Sequence, residues 1–452
     1  MEGPKYEVKV IRRETIKPSS PTPSNHGKLT LSFLDQKYGP HHVPVLLFYT
    51  APEGAVPLDT TLLKTCLSET LTRFYPLAGQ YDTWGTLLCN DHGVPFIEAI
   101  VDCTLLSLLH RRSNLQDIVD FLPFYPPRED ILSSKIHLAI QVNVFTCGGF
   151  AVGWYHTHKV TDGVSAATFF RHWSALVTNR YEVAALAEPD FSAGVAAFPP
   201  LPEAAVTPAL KPKEGSKEDK NKFSWNYTFQ ETIVVRSFLF KDDAINELKA
   251  MSISEKVIYP SRFEAVTGFL WKHILLASPK EGHSMLGIPV DLRSKTDPPL
   301  PRGSMGNLFT SAFARTNNRA ELRDMVSEIH GSISKMKNVA LKFQGENRSE
   351  EYERLRRQFI NTVIEYKGKD IYFVNSWCKS AGFGDVDFGF GKPKRVIPID
   401  DAVNHNKRNG ILLTEFTDSN GDGIEAWLFL EKDTIKFLEC NPDFLAFASP
   451  NF

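Results

Sequence analysis

The sequence predicts a mixed α/β protein in two domains, and three observations carry that prediction. The chain has 452 residues, more than the roughly 250–300 at which a single hydrophobic core stops growing. Segments with a two-residue apolar period alternate with segments of helical period, the pattern of strands and helices packed in layers. Near the middle, the stretch 188–222 holds Phe198-Pro199-Pro200-Leu201-Pro202 and then Lys211-Pro212-Lys213-Glu214-Gly215-Ser216-Lys217-Glu218-Asp219-Lys220. Prolines, small residues and mixed charge are the composition of an exposed linker. The expected division is 1–187, a linker at 188–222, and 223–452.

The elements follow in order. Glu7 to Ile16 reads as a strand, stopped by the cluster Pro18-Ser19-Ser20-Pro21-Thr22-Pro23. Val43 to Tyr49 is a short apolar run, as a buried strand would be. Asp59 is placed to cap a helix whose apolar face carries Leu62, Leu63, Cys66, Leu67, Leu71 and Phe74; Pro76 and Gly79 end it. Ile136, Leu138, Ile140, Val142 and Val144 share one face of a strand. Gly148-Gly149 turns the chain, and Phe150 to His158 is the return strand of a hairpin. Asp162-Gly163 breaks that strand, and Val164 to Val177 continues with helical spacing. In the second half, Thr232 to Leu239 reads as a strand. Ser261-Arg262-Phe263-Glu264 is a capping box opening a helix to Leu276, and Ser349 to Glu365 reads as a charged helix.

Composition excludes several functions. Apolar residues make up 42% and charged residues 23%, which supplies packed cores and argues against long-range disorder. With 51 basic against 53 acidic residues, there is no basic excess of the kind nucleic-acid binders use, so no nucleic-acid partner is expected. No apolar run reaches the roughly 18–20 residues of a membrane span, so no membrane partner is expected. The start, Met1 to Lys17, mixes charges with single apolar residues, unlike a secretion signal. The six cysteines form no C-x-x-C pair. Free thiols in the reducing cytoplasm are therefore expected.

Chemistry concentrates in Trp154-Tyr155-His156-Thr157-His158-Lys159-Val160-Thr161-Asp162-Gly163. A histidine ends a strand and an Asp-Gly turn opens a helix, a place where a rigid scaffold presents a reactive group. Histidine is the natural general base near neutral pH. Asp162 either orients this loop or caps the helix that follows. The plainer reading of His-x-His is two packed histidines without a role; a zinc site lacks a third ligand at a standard spacing. The second stretch, Asp385-Val386-Asp387-Phe388-Gly389-Phe390-Gly391-Lys392-Pro393, is a tight glycine-rich loop, either phosphate-cradling or a structural corner. It is not a nucleoside-triphosphate loop, and the chain has no G-x-S-x-G nucleophile elbow.

Together, His158-Lys159-Val160-Thr161-Asp162-Gly163 and Asp387-Phe388-Gly389-Phe390-Gly391 resemble the H-x-x-x-D-G and D-F-G-W-G motifs of the plant BAHD acyltransferases, in the same order. Leu31-Ser32-Phe33-Leu34-Asp35-Gln36, Phe74-Tyr75-Pro76-Leu77-Ala78-Gly79, Asp291-Leu292-Arg293-Ser294, and Gly306-Asn307 are similar to further family segments. The resemblance covers nearly the whole chain and looks closest to the branch of alkaloid and terpenoid acetyltransferases.

What the resemblance implies is an acyl-CoA-dependent O-acyltransferase. Its fold would be two chloramphenicol-acetyltransferase-like α/β domains with a solvent channel between them. Acyl-CoA, with acetyl-CoA expected, is a co-substrate rather than a permanently bound cofactor; the partner is a small-molecule alcohol, and the protein a monomer. His158 is the general base. Asp162 pairs with Arg293 and shapes the loop. Trp377 and Asn375 donate to the oxyanion, Asn375 standing where threonine is frequent. Ser261 and Lys379 meet CoA phosphates, while Asp387, Gly389 and Gly391 hold the CoA side of the channel. Phe390 replaces the motif's tryptophan, keeping an aromatic wedge but losing an N–H donor. His156 is read as lining or core. Malonyl-CoA as donor, a hydrolase and a non-catalytic homologue stand as alternatives.

Overall fold

Six strands build the first sheet, in the order Val8–Ile16, Val94–Val101, Leu138–Phe145, Phe150–Thr157, His42–Tyr49, Arg395–Pro398. Only the Val94–Val101/Leu138–Phe145 pair is parallel. His42–Tyr49 and Phe150–Thr157 are buried at every position, as expected of continuous apolar runs covered on both faces. The computed structural model describes residues 6–39, 42–52, 54, 56–109, 118–124, 135–178, 186–202, 233–278, 282–317, 319–366, 370–399, 409–418 and 421–451. The expected linker lies outside the described residues from 203 onward.

The hairpin expected around Gly148-Gly149 is present, with Leu138–Phe145 antiparallel to Phe150–Thr157. Its first strand is not half-exposed as simple alternation implies. Gln141 and Asn143, on the face opposite Ile140 and Val142, are buried and donate to the Asp120 and Phe121 carbonyls. The short turn Val119–Phe121 thus covers that face and satisfies its polar groups.

Two helices lean on this sheet. Thr60–Arg73 is capped by Asp59, whose carboxylate accepts from the Thr61 and Leu62 N–H groups. Leu63, Cys66, Leu67 and Leu71 are buried, but Leu62, expected on the same face, is 41% exposed. Gly163–Val177 begins at Asp162, and its Trp173 indole donates to the Leu63 carbonyl of the first helix at 2.9 Å.

The second sheet runs Phe309–Asn317, His283–Asp291, Asp370–Trp377, Asn409–Asp418, Gly421–Glu431, Ile233–Lys241, Ser449–Pro450. Asp370–Trp377 is parallel to both neighbours. Helix Arg262–Ala277 opens on the expected capping box: Ser261 Oγ accepts from the Glu264 N–H, and the Glu264 carboxylate accepts from the Ser261 N–H. The charged helix spans Arg348–Glu365.

The chain divides into two compact units that interleave in sequence. The first comprises Met1–Thr228, Leu300–Leu308 and Ser380–Asn404; the second Phe229–Pro299, Phe309–Lys379 and His405–Phe452. A boundary at the linker alone assigns 300–308 and 380–404 to the C-terminal half. Pairing decides otherwise. Arg395–Pro398 extends the first sheet beside His42–Tyr49, and Leu308 is bonded to Asp162. Among the described residues no helix is long and apolar enough to cross a membrane.

Candidate active site

The buried interior strand Phe150–Thr157 ends one residue before His158, so the imidazole stands at the end of that strand, on the first turn out of the sheet. Helix Gly163–Val177 starts five residues later, at the Asp162 cap. Asp162 is buried and uses both carboxylate oxygens. Oδ1 accepts from the Ser165 N–H at 2.9 Å, closing the helix N-terminus. Oδ2 accepts from the Leu308 N–H at 3.1 Å. The same carboxylate therefore caps the helix and pins the incoming segment Leu300–Leu308. Ser165 strengthens the junction, its hydroxyl bonded to the Gly306 N–H and carbonyl, each at 3.1 Å.

That segment delivers Asn307. Its Nδ2 donates to the His158 carbonyl at 2.6 Å and to Asp35 Oδ1 at 3.0 Å. Both partners are pure acceptors, so the orientation of the amide is fixed. Its Oδ1 then lies 2.8 Å from His158 Nδ1. An amide oxygen can only accept, so Nδ1 carries the proton and Nε2 carries the lone pair in the neutral ring. The Tyr38 ring stacks on the imidazole at 4.7 Å and 15°. Gly306 stands at φ +121, where a Cβ would approach the Asp35 carboxylate to 3.3 Å; glycine permits that approach.

Asp35 anchors the network. It sits in the four-residue helix Phe33–Gln36 and accepts from the Ser32 N–H and hydroxyl and from the Asn307 N–H and Nδ2. Burial pushes its carboxyl upward, while these donors pull it back towards the charged form. Burial also drives several basic groups of this unit towards neutrality. The Lys159 ammonium is pushed down to about 8, the His42 ring to about 4 and the His137 ring to about 3. His156 falls well below the ordinary histidine range for the same reason. It accepts from the Trp154 indole at 3.1 Å inside the core; the sequence alone leaves lining and core both open.

The other expected residues divide between the units. In the first, Asp387 Oδ1 accepts from the Gly389 and Gly391 N–H groups at 2.7 and 2.9 Å. Both glycines have positive φ, +94 and +83, so the carboxylate organises a turn that other residues would strain. Phe388 packs on Trp173 and Tyr49, and Phe390 meets Phe150 edge-on at 5.0 Å. The loop therefore sits at the Phe150 end of the strand whose other end leads to His158, about 25 Å of extended chain away.

In the second unit, Trp377 closes strand Asp370–Trp377 and is buried. Asn375, two residues earlier on the same face, is exposed; its Oδ1 accepts from the Ser376 N–H at 2.8 Å, which leaves Nδ2 as the outward donor. Lys379 is exposed, with φ +57 and its N–H on Glu415. Ser261 is exposed at its helix start and its hydroxyl bonds Glu264. Arg293 is buried and bridges to Asp291 at 2.9 Å.

The roles of Asn307, Asp35 and Tyr38 were not assigned from the sequence. Ser32 and Asp35 stand at the capping-box spacing, a local signal for a polar helix start. Gly306-Asn307 is a family-like pair, but nothing local gives Asn307 a role, since its partners lie 149 and 272 residues away.

Comparison with known proteins bears on this geometry. Residues 6–445 match the family model described as "Transferase family". Stemmadenine O-acetyltransferase of Catharanthus roseus is 30% identical, with 99% of each chain covered. A limonoid 21-O-acetyltransferase of Melia azedarach is 32% identical, covering 98% of this chain and 99% of that one. The crystal structure of vinorine synthase superposes with a TM-score of 0.78 at 29% identity, covering 98% and 99% of the two chains. The chain thus belongs to the transferase family of the BAHD acyl-CoA-dependent acyltransferases, near its vinorine synthase branch, and is an acyltransferase that uses a CoA thioester.

Proposed function

We propose that the protein transfers acetyl from acetyl-CoA to a hydroxyl of an alkaloid or terpenoid alcohol, with His158 as the general base. The observation that carries the reading is the tautomer. Asn307 Oδ1 accepts the hydrogen bond of Nδ1–H, so Nε2 is the basic atom. Nε2 accepts the proton of the acceptor hydroxyl as its oxygen attacks the thioester carbonyl. The Nδ1–H···Oδ1 bond strengthens as the ring becomes cationic. Collapse of the tetrahedral intermediate breaks the C–S bond, and the imidazolium returns its proton to the departing thiolate. No covalent acyl-enzyme is needed.

Trp377 and Asn375 are the proposed oxyanion donors; an indole N–H and an amide N–H₂ both suit that role. Asp162 acts on loop geometry, and its pairing with Arg293 belongs to the same reading. Ser261 and Lys379 are proposed to meet CoA phosphates, and the loop of Asp387, Gly389 and Gly391 to support the CoA side of the channel that the family resemblance implies. The acetyl donor and the acceptor class are supported by relatives that are O-acetyltransferases of stemmadenine and of a limonoid. A cytoplasmic setting is supported by six cysteines that form no disulfide among the described residues.

The test is a panel of acetyl-, malonyl- and benzoyl-CoA against stemmadenine and a 21-hydroxylimonoid, read by mass spectrometry. Acetyl ester formation is expected, and H158A should lower kcat by about a thousandfold or more. Wild-type turnover by H158A would remove the base assignment. Rapid thiol release without any acceptor would make the protein a thioester hydrolase.

A further inference from the structure

We propose that residues 188–201 form a positioning strap for the acyl transfer: packed against both the segment that carries Asn307 and the helix that carries Asp35, they set where those two side chains meet behind His158. The inference rests on His158 being the base. In sequence this stretch reads as the start of a spacer, yet it is tied down at each end. At its start, Asp190 pairs with Ser304: its N–H donates to the Gly303 carbonyl at 2.8 Å, and its carbonyl accepts from the Met305 N–H at 2.9 Å. The Asp190 carboxylate then accepts from the Ser192 and Ala193 N–H groups and turns the chain into the short helix Ala193–Ala197. At its end, the Phe198 carbonyl accepts from the Phe33 N–H at 3.3 Å, and the two rings meet edge-on at 6.1 Å. The Leu201 N–H donates to Gln36 Oε1 at 3.1 Å.

The fit between strap and segment is close enough to require glycine on both sides. A Cβ at Gly303 would overlap the Glu188 carbonyl, and one at Gly194 would come to 2.9 Å from Leu308 Cδ2 and 3.3 Å from the Met305 carbonyl. A spacer needs no such contact. Leu308 is 0% exposed, so its side chain has no open space to turn into. Its N–H is bound by Asp162, and Asn307 is the residue before it. Asp162 and Ser165 hold the segment from the His158 side. The strap adds contacts of its own and joins them to helix Phe33–Gln36. The two bonds from Asn307 to Asp35, at 2.6 and 3.0 Å, lie between the elements that the strap clamps. A shift of either element therefore moves the amide oxygen that faces His158 Nδ1.

The experiment compares wild type with G194V, L308A, G194V/L308A and Q36M, which removes the acceptor for the Leu201 N–H. A196V, at an exposed position of the same short helix, controls for helix propensity and should keep wild-type kcat. With acetyl-CoA and the panel alcohol turned over fastest, kcat should fall about ten- to hundredfold in G194V and about threefold or more in Q36M, with both KM values within twofold. Truncating Leu308 makes room for the valine, so G194V/L308A should turn over several times faster than G194V. The 15N spectrum of histidine-labelled protein, with His158 assigned by its loss in H158A, reads the tautomer directly: Nδ1–H in wild type and a mixture in G194V. Wild-type kcat and tautomer in G194V and Q36M, even with lowered melting, would leave a structural clamp only and overturn the proposal. Losses that multiply in G194V/L308A, or a fall in A196V as large as in G194V, would also overturn it. If G194V does not fold, Q36M decides alone. Activity surviving in H158A would instead dismiss the base, a separate outcome.

Discussion

Asn307 can set the tautomer of His158 because its own amide has no choice of orientation. With Nδ2 committed to a carbonyl and a carboxylate, the oxygen must face the imidazole. An amide in this position directs the ring without adding another carboxyl group beside Asp35. Truncation in N307A frees the ring to take either tautomer and leaves Asp35 short of a donor. The kcat of N307A should fall by about 10²–10⁴, with KM for acetyl-CoA within twofold. Steady-state kinetics check this, and a KM rise with kcat intact would show that Asn307 serves substrate binding instead.

Caps are the elements on which sequence and structure agree most closely. Asp59, Asp162 and Ser261 each start the helix expected of them, because a cap needs only the two or three N–H groups that follow it. Leu62 shows where such reading stops. It satisfies the helical period, yet only the packing of the neighbouring helix decides which flank of the stripe stays wet. The Ser261 box also yields a test of the proposed phosphate contact. In S261D the side chain can still accept from the Glu264 N–H, but it loses the hydroxyl bond to the Glu264 carboxylate and adds a negative charge beside it. Melting should fall by a few degrees, and KM for acetyl-CoA should rise about tenfold or more if a phosphate binds there. An unchanged KM would leave Ser261 as a cap alone.

Over the whole molecule, buried histidines set the acid limit of stability. His42 and His137 titrate in the fold at about 4 and about 3, because burial penalises their charged forms. The unfolded chain takes up these protons near pH 6.5. Below that point the unfolded state binds more protons than the folded one, so stability declines as pH falls through the window between the unfolded and folded values. Each ring should cost about 2 kcal/mol between pH 6.5 and pH 5. Urea unfolding at pH 7 and pH 5 measures this, and H137N should show a shallower decline than wild type. Stability that stays flat across that interval would mean the rings are not buried neutral.

The sequence by itself determined the mixed α/β class, the hairpin leading to His158, the helix caps and both motifs, since each is written within a few neighbouring residues and depends on backbone periodicity or a local hydrogen bond. The tertiary structure alone decided that Leu300–Leu308 and Ser380–Asn404 join the N-terminal unit, that Gln141 and Asn143 are covered, and that Asn307, Asp35 and Tyr38 converge on one imidazole. Those groups are brought together only when the chain closes loops of more than a hundred residues. The free energy that closes such loops comes from burial across the whole sheet, which no local run of residues encodes.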